Sequence, residues 1–133
     1  MRLLLAAIVR LVVMGAGLAA YYAALPALFP GSNDANIGAG LLAFAGIVVV
    51  SLGWAFADAR RRGSSSTVAT WAIVAVAFGV LWLVGLATLE ADDSVSLSER
   101  LRLDAFLVVF TAGLVLLPAA LGAALGDRSR NSE

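Results

Sequence analysis

The chain has no cysteine, no histidine and no lysine, only three prolines, and charge on just 14% of its 133 residues. Without thiol or imidazole there is no cysteine nucleophile, histidine base, zinc cluster or disulfide, so neither an enzyme of the usual kinds nor a bound metal or cofactor is expected. Nine arginines balance nine acids to zero net charge, and the arginines stand in short groups beside apolar runs instead of along one basic face, which excludes nucleic acid as a partner. An ordinary soluble domain is about a quarter charged and roughly half apolar. Here 62% of the residues are apolar, and so short a chain has too little interior to hide them. The expected solvent, and the expected partner, is a lipid bilayer.

What the chain does have is length without charge. Crossing a hydrocarbon core of roughly 30 Å takes about 20 apolar residues in a helix. Four stretches meet that requirement, at about 11–29, 35–57, 67–89 and 105–125. They are separated by Pro30-Gly-Ser-Asn-Asp34, by Asp58-Ala-Arg-Arg-Arg-Gly-Ser-Ser-Ser66 and by an acidic stretch from Glu90 to Asp104. Runs such as Ile47-Val-Val-Val50 and Leu114-Val-Leu-Leu117 are apolar on every face, which fits helices and not the alternating strands of a membrane barrel. The expected fold is therefore an all-α integral membrane protein, one domain of four transmembrane helices closed into a bundle so that no backbone polar group is left open in lipid. Ala45-Gly46 and Ala112-Gly113 open similar stretches in the second and fourth spans, and each span ends in an Asp with arginine behind it, an echo that an internal repeat or chance would both produce.

Arginine counting sets the expected direction of the thread. Arg2, Arg10, Arg60, Arg61, Arg62, Arg128 and Arg130 share one side with both termini, and only Arg100 and Arg102 lie on the other. The positive-inside rule then gives N-in, C-in topology, with both termini on the cytoplasmic side. A cleaved signal peptide is the competing reading of the first span, although Arg10 interrupts its apolar run and no Ala-x-Ala site falls within the first thirty residues.

Charge near a bilayer interior marks where to look for function. Arg10 lies 23 residues before Asn33 and Asp58 lies 25 after it, so in an antiparallel hairpin their depths differ by about 3 Å at 1.5 Å per residue. An inter-helix ion pair is within reach; so is the simpler arrangement in which Arg10 snorkels to headgroups and Asp58 sits in water. No charged side chain stands in the middle of any span, which leaves no carboxylate for a midplane proton relay. Tyr21, Tyr22 and Trp82 sit away from the span ends and are candidate pocket-lining residues. Trp54 and Trp71 fall where interfacial anchors belong. Small residues mark close helix crossings: Ala75 with Gly79, Gly122 with Gly126, and the rows Ala16, Ala20, Ala24 and Ala19, Ala23, Ala27 in the first span. Pro118 is expected to bend the fourth helix, and Ser96-Leu-Ser-Glu99 has the form of a capping box. Four helices enclose little space for a substrate, which leaves a homo-oligomer open as the assembly.

Arg10 in the first helix, the ending Leu52-Gly-Trp-Ala-Phe-Ala-Asp58 of the second, Trp71 opening the third, and Leu117-Pro-Ala-Ala-Leu-Gly122 continuing to Gly126 in the fourth form a layout. It resembles the bacterial four-helix members of the drug/metabolite transporter superfamily found in high-GC actinobacteria. The resemblance spans nearly the whole chain and implies a small-molecule transporter of unknown substrate in a bacterial inner membrane, with no catalytic residues. The small multidrug-resistance relatives carry a glutamate within the first helix, which this chain lacks, so their proton-antiport mechanism does not carry over. A non-transporting membrane scaffold or accessory subunit is the alternative from another class.

Overall fold

A computed structural model describes residues 2–28, 37–89, 98–99, 102 and 104–132. Four long helices account for nearly all of them: α1 (Arg2–Leu28), α2 (Ile37–Arg62), α3 (Ser64–Leu89) and α4 (Ala105–Asn131). All four are long and apolar enough to cross a membrane.

The helices run past the apolar stretches at the arginine-rich end. Asp58 to Ser66 is not a nine-residue break: α2 continues through Arg62, α3 begins at Ser64, and Gly63 alone links them. Alanine and arginine are good helix formers, and the three arginines in the last turn of α2 also suit the negative end of its dipole. Gly63 takes a φ of +85°, a left-handed conformation open to glycine, and its N–H closes on the Ala59 carbonyl at 2.9 Å. The Thr67 hydroxyl donates to the Gly63 carbonyl at 2.8 Å, so the reversal is hydrogen-bonded on both sides. Of the proposed capping box, Ser96 and Leu97 lie outside the described residues; α4 itself starts after Asp104, whose side chain makes no capping bond.

Helix α4 is the hub, packed along both α2 and α3, while α1 leans on α3 more than on α2. The α2–α4 seam explains the hub. Ala39, Ala43, Ile47, Ser51, Ala55 and Ala59 form one buried row on α2, and Thr111, Val115, Ala119, Gly122, Ala123 and Gly126 are buried on α4. These rows are small, so the backbones come close: a Cβ on Gly122 would strike the Leu52 carbonyl oxygen, and one on Gly126 that of Phe56. Gly79 does the same for α3 against α4, where a Cβ would stand 2.8 Å from the Val108 carbonyl oxygen, and Ala75 is fully buried. The alanine rows of α1 behave differently. Ala16, Ala19, Ala20, Ala23 and Ala27 point away from the bundle and only Ala24 is half-buried, because α1 turns the face carrying Ala7, Arg10 and Met14 inward.

Candidate functional site

Arg10 is the most informative side chain. It lies in the interior of α1 and is 4% exposed, and Asp58 in the last two turns of α2 is 8% exposed. Their carboxylate and guanidinium meet: Nε donates to Asp58 Oδ2 at 3.1 Å and Nη2 donates to the same oxygen. Nη1 turns back to the Ala6 carbonyl one turn earlier in α1. Two indoles complete the enclosure, with the guanidinium carbon 5.4 Å from the Trp54 ring centroid and 5.9 Å from that of Trp71. The rings themselves meet edge to face at 6.2 Å and 76°. A desolvated guanidinium gains on the order of 2 kcal/mol from such a ring, which offsets part of the cost of withdrawing an ion pair from water. Each wall has a local cause: Trp54 and Asp58 are one turn apart on α2 and share its face, and Trp71 enters from the first half of α3.

Trp71 is therefore not an interfacial anchor. It is fully buried, and its Nε1, like the Ser51 hydroxyl, has no protein partner. Sequence reasoning brought Arg10 and Asp58 to one depth but did not enclose them with Trp54 and Trp71; the four-residue spacing of Trp54 and Asp58 was the available signal.

Tyr21, Tyr22 and Trp82 do not share one pocket. The Tyr21 hydroxyl donates to the Ala39 carbonyl of α2 at 2.7 Å and borders an apolar cavity of about 300 Å³ between α1 and α2, lined also by Met14, Gly17, Ala43, Gly46 and Val50. Tyr22 and Trp82 border a different cavity of about 60 Å³, where Phe44 of α2 and Phe110 and Thr111 of α4 converge on Phe78 of α3. The two tyrosines touch edge to face at 5.6 Å, across the wall between these spaces. A third, wider groove of about 740 Å³ opens beside Arg10 and Asp58 and is bordered by Leu3, Val9, Trp54, Arg61, Arg62 and Ser66.

Two polar contacts thus tie α1 to α2, Arg10–Asp58 near one end and Tyr21–Ala39 near the other, with open space between them. At the arginine-rich end α4 joins the α2–α3 link: the Ser64 hydroxyl lies 3.4 Å from Asp127 Oδ2, and Arg130 pairs with Asp127 at 3.1 Å. Among the described residues no group of three or more metal-ligating side chains assembles. No protein-family model, curated protein or solved structure matches the chain.

Proposed function

We propose that the chain is a multi-pass protein of a bacterial inner membrane, with both termini in the cytoplasm, and that it carries a small molecule in the manner of the drug/metabolite transporters, as a homo-oligomer. The observation behind this reading is the space between α1 and α2, held open by a polar tie at each end while α4 clasps α2 and α3 tightly. A helix pinned at two points over a cavity is the element of this bundle best placed to admit a ligand and release it. With no charge at mid-span, the cavity suits an apolar or amphipathic compound.

A ligand-stabilisation screen on detergent-purified protein, followed by flux assays in proteoliposomes, tests it. A compound class that raises the melting temperature of the wild type, fails to do so once Gly46→Leu fills the cavity, and crosses proteoliposome membranes supports the carrier. Absence of any stabilising class together with a constant crosslinked partner overturns it.

A second reading, an accessory subunit of a larger membrane complex, has its own observation. Only 17% of the apolar window of α1 is buried, against 39% for α3, and its outward face carries the alanine rows that let another helix approach. Cysteines placed at Ala16 and Ala20 would crosslink to a different protein in that case, and to nothing but another copy of this chain in the homo-oligomeric carrier.

A further inference from the structure

The groove at the arginine-rich end and the apolar slot beyond it are both bordered by α1 and α2. Val9 and Trp54 border the groove, and Val13 and Val50, one turn further along each helix, border the slot. The two cavities therefore lie end to end along the α1–α2 seam, with the Arg10–Asp58 pair beside their junction. The chemistry of the seam changes along its length. At the mouth stand Arg61 and Arg62, both exposed and without an acidic partner among the described residues, while the charge of Arg10 is answered by Asp58. In the slot the lining is apolar apart from the Tyr21 hydroxyl, whose proton is given to the Ala39 carbonyl.

We propose that this seam holds one anionic phospholipid, its phosphate against Arg61 and Arg62 and an acyl chain laid along the slot past Gly46 and Gly17. The inference rests on the carrier reading only in taking the same cavity as a binding element, and it names the ligand class that the cavity fits. Guanidinium groups match phosphate oxygens in a planar, two-bond geometry, and basic pockets between membrane helices suit anionic headgroups. From Arg61 to Gly46 is fifteen residues of helix, about 22 Å. That is the scale of one leaflet with its headgroup region, half of a bilayer about 40–45 Å thick. The two glycines make room for the chain: no atom lies within 4 Å of where a Cβ would stand on either. A soluble anion would use the mouth and leave the slot empty, whereas an uncharged lipid would use the slot and ignore the mouth. An anionic lipid uses both.

Native mass spectrometry of the full chain, with phosphatidylglycerol and the phosphate-free diacylglycerol of identical chains as probes, gives the test, with melting temperature as a parallel readout. The wild type is expected to retain one phosphatidylglycerol at least about tenfold more tightly than the diacylglycerol, the least that a charge-assisted hydrogen bond confers. Replacing Arg61 and Arg62 by Gln is expected to erase that preference while weak binding of both lipids persists. Gly46→Leu is expected to weaken both lipids, and Gly53→Ala, on an outward face with open space beside it, neither. Equal retention of the two lipids by the wild type, an unchanged preference after the double Gln substitution, or full stabilisation by inorganic phosphate alone would each overturn the proposal, the last by assigning the mouth to a free anion. Flux separates the two readings: lipid preference without solute transport keeps the lipid and removes the carrier, and transport without lipid preference does the reverse.

Discussion

At the scale of the residue, the pair Arg10–Asp58 sets the largest single stake. A lone charge at the centre of a membrane helix costs about 2.5–3.5 kcal/mol on insertion scales, and removing one member of a buried pair strands the other at about 3–5 kcal/mol. Arg10→Ala and Asp58→Ala should each lower stability in detergent by that order, while Arg10→Met with Asp58→Leu should cost less than either alone. A double-mutant cycle on thermal unfolding measures the coupling, and a value near zero would leave Arg10 a snorkelling side chain. Ser51 carries the opposite expectation. Its hydroxyl is wholly buried without a protein partner, so Ser51→Ala should be neutral or stabilising by about 1 kcal/mol, a clear loss of melting temperature being the contrary result. The depth match of Arg10 and Asp58 was legible from counting residues about Asn33. Their enclosure by Trp54 and Trp71 was not, since it depends on how each helix is rotated toward its neighbours.

At the scale of the element, glycine separates the seams from the outer faces. Gly122 and Gly126 meet α2 backbone where any Cβ would intrude. Gly122→Ala should therefore push α4 from α2 and cost about 1–3 kcal/mol, the usual range for overpacking. Gly53→Ala meets nothing and should gain up to about 1 kcal/mol from helix propensity alone. Thermal unfolding of the two variants side by side checks this; equal effects would mean the α2–α4 contact is looser than the backbone geometry states. Gly122, Gly126, Ala75 and Gly79 were recognisable as small residues at helical spacing, but the alanine rows of α1 carry the same spacing and point outward. Periodicity marks a face and says nothing of what covers it.

At the scale of the whole molecule, the arginine asymmetry is the quantity to test. Because the chain has no cysteine, single substitutions report cleanly. A membrane-impermeant thiol reagent on intact cells should label Ser94→Cys in the acidic stretch between Glu90 and Asp104 and spare Ser64→Cys and Ser129→Cys until the cells are opened. The reverse pattern would invert the topology, and labelling of Ser64→Cys and Ser129→Cys on opposite sides would refute the four-span thread. The geometry already brings Ser64 and Asp127 together at one end of the bundle, as antiparallel crossings of equal length require.

The sequence by itself determined the number of helices and their apolar character, because those follow from local composition and from the need to satisfy every backbone polar group within its own segment. It also set the depth of each residue along its helix, which is a matter of counting at a fixed rise. Only the tertiary structure decided which faces meet: that α4 is the hub, that Trp71 is buried against Arg10, and that α1 stands off from α2 beside an apolar cavity. Those outcomes depend on azimuth, and helices apolar all round carry little local signal to fix it; close packing of small residues on facing backbones does.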